Sequence, residues 1–284
     1  MKGLKIRQMA QEELVIAAGF TAVEGWVSED LTAFHGFYQH DPSGCLLASL
    51  DGLPVGICNA TCYGISGFIG ELIVHPTVRG KGIGATLLDT GIHYLQNQGV
   101  KTIYLDGVLK AVSLYERHGF RKLCRSLRFS GRVTGNTHPS IRPMEFQDLP
   151  QVYALDQQAF GADRSDFLSH RYAHSPNLCR VLIEEGDLCG FILGQQVADR
   201  VVVGPWVVTE SDETPQRLLE NLACGFNDLP IHLGTLESNC RAVEVLNSLG
   251  FKERSDSPWR MALGPGESLG ASEMCFAIGS AAKG

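Results

Sequence analysis

A strand, a basic glycine-rich loop and a helix follow one another in this chain and limit what it can fold into. An apolar strand ends at Val74, a short turn contains Pro76, and the loop from Arg79 to Gly84 leads straight into an apolar-periodic helix. Backbone N–H groups at a helix N-terminus bind anions together with the helix dipole. Glycine removes the Cβ atoms that would hold a ligand away, while Arg79 and Lys81 add positive charge. The segment therefore predicts a diphosphate-binding loop.

Composition indicates a globular protein and limits its partners. The chain has 284 residues, of which 44% are hydrophobic and 19% charged, which is enough for one large domain or two ordinary ones. A net charge of −7 argues against nucleic acid as a partner, because no excess of cations is available to neutralise phosphates. No run reaches the ~18 apolar residues of a membrane span, and no signal-peptide run is present. Nine cysteines without a CxxC pair indicate reduced thiols, so we expect a cytoplasmic protein that binds neither a membrane nor a metal.

The second half of the chain repeats the pattern of the first. Ile141-Arg142 matches Ile6-Arg7, and similar matches recur at two other places. Each half predicts a strand, two helices, three strands, and then helices and strands in alternation. Similar offsets at separate places favour a duplicated domain. We expect mixed α/β domains at residues 1–133 and 138–284, with the junction in the polar stretch Gly131–Pro139.

The residues alone leave several interpretations of the loop open. It could hold the pyrophosphate of a dinucleotide, because Gly80 to Ala85 satisfies G-x-G-x-x-G/A and Asp106 ends the next strand. Against this, His75 to Arg79 separate the strand from the first glycine, and several strands precede the unit. The loop could also be a helix cap without a ligand, although three alternate glycines cost backbone entropy.

A further interpretation comes from resemblance. The run from Val74 to Gly84, with the run from Leu114 to Phe120 downstream, resembles the GCN5-related N-acetyltransferase (GNAT) superfamily, and the match covers roughly residues 3–133. The resemblance implies two tandem GNAT folds of the α/β class, each a central, mostly antiparallel sheet flanked by helices. It also implies acetyl-CoA as co-substrate, without a metal. In this family the strand before the loop bends away from its neighbour after a bulge.

The resemblance assigns coenzyme-binding roles to the end of that strand and to the loop. Backbone groups of Ile73 and Val74 would pair with the pantetheine arm of acetyl-CoA. The N–H groups that would hold the pyrophosphate are those of Arg79, Gly80, Lys81, Gly82, Ile83 and Gly84. This assignment agrees with the anion-binding chemistry of the loop itself.

Acetyl transfer to an amine requires a base for the amine and an acid for the leaving thiolate. The resemblance implies Tyr115 as the acid. Asp106 at the end of the strand beside the gap, and Glu71 on the strand before the loop, are the candidate bases. His75 and His118 have suitable intrinsic pKa values but occupy turn positions, so we rank them lower.

The acceptor-binding residues are expected in the two helices after the first strand. Trp26, Asp30 and Tyr38 place aromatic rings and a carboxylate there, which suits a cationic amine. The sequence departs from the family where an asparagine commonly precedes the tyrosine, because this position is Val108. One contact is therefore missing or supplied by Lys110.

The second half differs from the first at the loop. The corresponding segment, Thr209 to Pro215, has no glycine and carries three carboxylates, which repel phosphate. Leu246 stands at the tyrosine position. We expect a degenerate GNAT-like domain, as in two-domain bacterial GNAT proteins, that closes over the acceptor site. Glu237 is the candidate acceptor contact there; the same surface is expected to include Trp206, Asn239 and Arg260.

The sequence thus predicts an N-acetyltransferase that moves an acetyl group from acetyl-CoA to a primary amine of a small molecule or peptide. The reaction would be a direct attack within a ternary complex. A non-catalytic acyl-CoA sensor is the alternative, and a dinucleotide-dependent oxidoreductase is a more distant one. The residues do not identify the acceptor, and they leave a homo-oligomer open.

Overall fold

The two halves of the chain contain the same series of strands and helices. The computed structural model describes residues 3–26, 28–209, 215–226, 229–266 and 269–284. The first half consists of β1 (Leu4–Gln8), α1 (Leu14–Val23), α2 (Leu31–His40), β2 (Cys45–Leu50), β3 (Leu53–Tyr63), β4 (Ser66–Val74), α3 (Ile83–Asn97), β5 (Thr102–Gly107), α4 (Val112–Arg117) and β6 (Arg121–Gly131). The second half consists of β7 (Ile141–Pro143), α5 (Leu149–Phe160), α6 (Ser165–His174), β8 (Cys179–Glu184), β9 (Asp187–Val197), β10 (Arg200–Val208), α7 (Gln216–Ala223), β11 (Ile231–Leu236), α8 (Cys240–Ser248), β12 (Lys252–Glu253), β13 (Trp259–Leu263) and β14 (Cys275–Ala277). The predicted mixed α/β class and the repeated order of elements are confirmed.

Local sequence signals account for these boundaries. The apolar stripe of α3 is buried at Leu87, Leu88 and Leu95, and the helix ends just before Gly99, which has the left-handed φ of +87°. Asp51 and Gly52 both have positive φ, as a two-residue hairpin turn between β2 and β3 requires. Helix α1 begins at Leu14, directly after a 3₁₀ turn at residues 11–13.

The strands of the described residues form one continuous fourteen-stranded sheet. Along it the order is β1-β2-β3-β4-β5-β13-β6-β11-β10-β9-β8-β7, with β12 paired to β6 and β14 paired to β10. The pairs β4–β5 and β10–β11 are parallel, and the other pairs are antiparallel. Strand β13 of the second half therefore lies between β5 and β6 of the first half. In exchange, β6 pairs with β11 of the second half.

This exchange ties the two halves together. Each half gives its last long strand to the sheet of the other, so neither sheet is complete without its neighbour. The expected boundary between residues 133 and 138 separates the two sequence repeats. That each repeat is a domain able to fold by itself remains a prediction. Each half keeps its own apolar core, one under α3 and one under α7. No helix within the described ranges is both long enough and apolar enough to cross a bilayer.

Candidate active site

The central parallel pair of the first half opens into a gap. Strands β4 and β5 pair only where Ser66–Phe68 lie beside residues 102–104. Beyond this point β4 stays with β3 up to Val74, while β5 continues beside β13. Among the described residues the end of β4 thus has no strand neighbour on the β5 side, and Ile73 and Val74 line the cavity that results.

A β-bulge sets the direction of this divergence. The register of β3 against β4 shifts between Ile57 and Asn59, opposite Glu71. Glu71 has a φ of +48°, the left-handed region that non-glycine residues seldom adopt. Bulges bend a strand and re-aim its side chains, and they recur beside active sites. The bulge turns Glu71 toward the cavity, which this side chain lines.

The glycine-rich loop lies at the end of β4 and begins α3. Gly80 and Gly82 have φ of +79° and +83°, so both need glycine, and Gly82 is the N-cap of the helix. The first N–H groups of a helix have no partner within the helix and are available to an anion. Residues 79–82 are exposed, so a ligand can reach them.

Two cations beside the loop converge on one carboxylate. Arg79 donates from Nε to the Val74 carbonyl at 2.8 Å and pairs through Nη2 with Glu24. Lys110 Nζ donates to the other oxygen of Glu24 at 2.9 Å. Burial alone would raise the pKa of Glu24, but Lys110 and Arg79 outweigh it and leave the pKa below its ordinary value. These ion pairs connect the loop, the end of α1 and the segment after β5 across the gap.

The gap belongs to a large cavity between the two halves. Its volume is about 630 Å³. Its lining from the first half includes Glu24, Trp26, Glu29, Gly70, Glu71, Ile73, Val74, Arg79, Asp106, Lys110, Tyr115 and Arg128. Its lining from the second half includes Arg171, Arg200, Val202, His232, Gly234, Arg254, Asp256, Ile278 and Ala282. A ligand in the gap would therefore touch both halves.

Two carboxylates meet at this cavity. Glu29 and Glu71 are 6% and 4% exposed, and each has a buried Oε2 without a hydrogen-bond partner among the described residues. Burial raises the pKa of Glu71 well above its ordinary value, and the charge of Glu29 raises it further, while Lys283 opposes the shift. An unpaired buried carboxylate is costly unless a ligand satisfies it.

Tyr115 lies on the opposite side of the gap, on α4. Its ring is buried and packs edge-on against Phe120 with centroids 6.1 Å apart. A Cβ at Gly107 would be only 3.0 Å from this ring, so glycine there leaves room for the tyrosine. Burial raises the pKa of Tyr115, so its hydroxyl stays protonated at neutral pH.

Asp106 has a different environment from Glu71. Its carboxylate accepts from Arg260 Nε at 2.5 Å, from Arg128 Nη2 at 2.9 Å and from Ser126 Oγ at 2.7 Å. Burial alone would raise its pKa, but the charges of Arg260 and Arg128 prevail and lower it. Because Arg260 belongs to β13, this cluster joins the two halves at the exchanged strands.

Comparison with known families decides the family. Residues 6–120 match the model of the acetyltransferase (GNAT) family, and residues 152–276 match a second acetyltransferase (GNAT) domain. The chain is a two-domain GNAT protein. It is accordingly an acyltransferase, and the dinucleotide interpretation of the loop is wrong, because the glycines belong to a GNAT loop within a mixed sheet.

Named relatives and solved structures agree with this membership. An uncharacterized N-acetyltransferase, YitH, of Bacillus subtilis is 26% identical over 197 residues, or 67% of each chain. A mycothiol acetyltransferase of Streptomyces avermitilis is 40% identical over 86 residues, but these span only 28% of each chain. A proposed acetyltransferase from Pyrococcus horikoshii has the same fold over 100% of this chain and 97% of its own, with a TM-score of 0.83 at 22% identity. A tandem GNAT protein from the clavulanic acid pathway covers 93% of this chain and 99% of its own, with a TM-score of 0.64 at 13% identity.

The structure gathers only some of the residues that the sequence singled out. Trp26 lines the cavity of this GNAT protein. Asp30 instead caps α2 by accepting from the Ala33 N–H at 3.0 Å, and Tyr38 packs on the core beneath α1 and α2. Glu237 accepts from the Arg125 N–H at 3.0 Å and is not among the cavity-lining residues.

The second-half surface expected over the acceptor is also different. Trp206 is fully buried in the core of that half, and Asn239 is buried at the start of α8, so neither faces an acceptor. Arg260 is buried against Asp106. Residues 210–214 of the second-half loop lie outside the described residues. Within the described ranges no group of three or more His, Cys, Asp or Glu could hold a metal ion.

Sequence reasoning missed Glu29 and the segment that runs from Ile278 to Ala282. Glu29 is adjacent to a helix cap, and nothing in its sequence neighbourhood indicates burial. The segment 278–282 reaches the cavity only because of the tertiary fold, where a Cβ at Gly70 would be 2.4 Å from the Ala282 carbonyl oxygen. The glycine at position 70 was the one available sign of such a close approach.

Proposed function

We propose that this GNAT protein transfers an acetyl group from acetyl-CoA to a primary amine of a small molecule or peptide, by direct attack in a ternary complex. The observation that carries the proposal is the meeting of Glu71 and Tyr115 at one cavity, directly beside the glycine-rich loop. A base, an acid and an anion site are the parts that this reaction needs.

The residues present fit the coenzyme. The left-handed glycines at 80 and 82 let the loop present its amides, although the Arg79 N–H already donates to the Pro76 carbonyl at 3.4 Å, and Arg79 and Lys110 supply cations that line the cavity. The unpaired edge at Ile73 and Val74 offers backbone groups to an extended amide-containing arm, as a neighbouring strand would. Bound there, acetyl-CoA supplies an activated acyl group on a thiol leaving group.

Glu71 acts as the base in this proposal. Burial and the charge of Glu29 raise its pKa, so its carboxylate is a stronger proton acceptor for the amine than that of an exposed glutamate. The freed nitrogen attacks the thioester carbonyl carbon, and the carbon–sulfur bond breaks. Tyr115, whose pKa burial raises further above neutral pH, gives its proton to the departing sulfur, and CoA leaves as the free thiol. Glu71 then releases the amine proton to solvent and Tyr115 takes one up, so both groups return to their starting states.

Asp106 is better suited to a structural role than to that of the base. Two guanidinium groups and a hydroxyl already occupy its oxygens, and its lowered pKa weakens it as a proton acceptor. We therefore assign Asp106 to the contact between the halves.

A thiol-release assay with acetyl-CoA and a panel of amines tests the proposal. Tyr115→Phe should lower kcat by about 100-fold with acetyl-CoA binding preserved, since only the acid is lost. Tyr94→Phe is the matched control, because Tyr94 bonds Asp41 at 2.6 Å outside the cavity lining. Unchanged turnover in Tyr115→Phe would remove the assigned acid. Tight coenzyme binding without acetylation of any amine would favour the acyl-CoA sensor instead.

A further inference from the structure

The cavity extends beyond Glu71 and Tyr115 to the sheet of the second half. Alternate residues along a strand point to opposite faces of a sheet. Val201 and Ile231 of β10 and β11 pack into the core of the second half. Arg200, Val202 and His232 alternate with them and line the cavity, and Val203 and Leu233 belong both to that core and to the cavity lining. This cavity-lining part of the second half is the far wall of the cavity.

The far wall carries two arginines and a histidine. Arg200, His232 and Arg254 line it together with Asp256, and the two arginines are paired with Asp199 and Asp256. Arg128 lies against the same face where β11 has Gly234, since a Cβ at that glycine would be 2.6 Å from Arg128 Nη1. Burial lowers the pKa of His232, the charges of Arg200 and Arg254 lower it further, and Asp199 opposes them. Guanidinium groups thus gather at this wall in a chain whose net charge is −7.

Two carboxylates line another part of the cavity. Glu29 and Glu71 each have a buried oxygen without a partner among the described residues, although Arg171 and Lys283 lie close enough to act on them electrostatically. The cavity therefore offers unsatisfied carboxylate oxygens in one part and guanidinium donors on the far wall. A ligand that uses both must carry a cation and an anion.

We propose that the acceptor is a small amine that also carries an anionic group, a carboxylate or a phosphate. Its amine lies at Glu71 and Glu29, and its anion lies against Arg200, His232 and Arg254. The inference rests on the proposed acetyl transfer and specifies the substrate class for it. The segment from Ile278 to Ala282 forms part of the cavity lining beside Gly70, so the occupant is a small molecule rather than an extended peptide.

Existing ion pairs leave the arginines able to bind an anion. Arg200 donates to Asp199 from Nε and Nη2, and Arg254 donates to Asp256 from the same two atoms. A guanidinium has five N–H donors, so such pairs leave donors for a ligand. Both arginines remain partly exposed, at 33% and 53% of their side chains, which is consistent with access from the cavity.

Matched acceptors test the anionic group directly. The full chain is assayed with acetyl-CoA and phosphoethanolamine or ethanolamine, and in a second arm with β-alanine or β-alanine amide. We expect kcat/KM to be about tenfold or more higher for the anionic member of a pair. The arm with the larger ratio distinguishes phosphate from carboxylate. Equal or higher kcat/KM for both neutral members would overturn the inference.

Paired variants test the wall. Arg200→Gln combined with Arg254→Gln should raise KM about tenfold for the anionic acceptor, with kcat and the neutral acceptor unchanged. Lysine at both positions should restore part of the affinity, because it keeps the charge without the fork geometry. Arg142→Gln is the control, since Arg142 forms the same kind of pair with Asp148 and is not among the cavity-lining residues. An unchanged preference in the glutamine variant would contradict the assignment.

A binding readout separates this inference from the proposed reaction. Thermal stabilisation of the protein with CoA by phosphoethanolamine, but not by ethanolamine, should be lost in the double glutamine variant. If that pattern holds while no thiol is released, the anion site stands and acetyl transfer fails. If thiol is released without any anionic preference, acetyl transfer stands and the anion site fails.

Discussion

Each half has a gap between its two parallel strands, and in the second half the chain itself closes that gap. In the second half, β10 and β11 pair only at residues 201–203 and 231–233, and the register of β10 against β9 shifts between Val203 and Trp206. Strand β14 then pairs with β10 beyond this shift. The Ile278 N–H donates to the Gly234 carbonyl at 2.9 Å, so the chain itself bridges the gap. The first half has no such strand among the described residues, and its gap opens into the cavity.

Side chains around the filled gap match this difference. Asn239 donates from Nδ2 to the carbonyls of Glu273 and Cys275, each at 3.0 Å, and so holds the segment that enters β14. The first half has Val108 at the position matching Asn239, and Tyr115 where the second half has the buried Leu246. One fold can thus use the gap between its parallel strands to bind its own chain or to receive a ligand. We therefore expect one equivalent of acetyl-CoA per chain, in the first half.

Removing the side chain that anchors β14 should have the largest effect, and the effect should be on stability. Phe276 is fully buried and stacks on Trp206 with centroids 5.0 Å apart. Phe276→Ala should lower the free energy of unfolding by about 3–5 kcal/mol, measured by denaturant titration. Phe146→Ala is the control, because Phe146 is 78% exposed. A loss below about 1 kcal/mol, or a second equivalent of bound acetyl-CoA, would break the distinction between the gaps.

Glu71→Gln removes the proposed base beside the open gap of the first half, and it should lower kcat by about 100- to 1,000-fold. A base works only when deprotonated, and the pKa of Glu71 is raised, so wild-type kcat/KM should fall as pH drops through a value well above 4.5. The pH profile of kcat/KM for the variant should lack this fall and should show only the pH dependence that comes from protonation of the acceptor amine. Glu116→Gln, at a surface pair with Lys122, should behave like wild type.

Stability provides a check on the same variant. Glutamine removes a carboxylate that burial disfavours, so Glu71→Gln should have a Tm at neutral pH equal to or above that of wild type. A lower Tm would mean that Glu71 stabilises the fold. Persistence of the same acid limb in the variant would show that another group is the base.

The sequence predicted local structure well and tertiary pairing poorly. The glycine-rich loop, the apolar stripe of α3 and the Asp51-Gly52 turn are local signals, and each lies where the pattern placed it. The exchange of β6 and β13 could not be predicted, because either partner satisfies the same alternation of apolar residues.

The candidate site was likewise predicted only where local motifs indicate it. Tyr115 and the loop follow from short motifs, and both lie at or beside the cavity. Glu29 lacked any motif, since its importance comes from burial beside Glu71. Asp106 looked like a free strand-end carboxylate, but Arg260 comes from the other half of the chain and pairs with it. Such long-range charge pairs are not visible in the local sequence.

Reversing the charge of the loop should make the first half resemble the second. Arg79→Glu with Lys81→Glu places carboxylates where the second-half loop has them, and should weaken acetyl-CoA binding by about 100-fold in calorimetry. Arg217→Glu, a single charge reversal in the first turn of α7, should leave affinity and stoichiometry unchanged. If the Arg217 variant instead loses one of two equivalents, both halves bind coenzyme.

Glu24→Gln should have the smallest effect and the opposite sign. Glu24 is charged at neutral pH, because Lys110 and Arg79 hold its pKa below the ordinary value against burial. It therefore competes with a diphosphate for both cations, as an internal anion beside the open gap. Removing its charge should tighten acetyl-CoA binding about three- to fivefold, as expected for ion pairs worth ~1 kcal/mol. Glu13→Gln, which breaks a comparable pair with Arg7 away from the gap, should change nothing. Weaker acetyl-CoA binding in Glu24→Gln would mean that Glu24 holds Arg79 and Lys110 in position for the ligand. The Glu24 carboxylate would then preorganise the site and would not compete with the diphosphate.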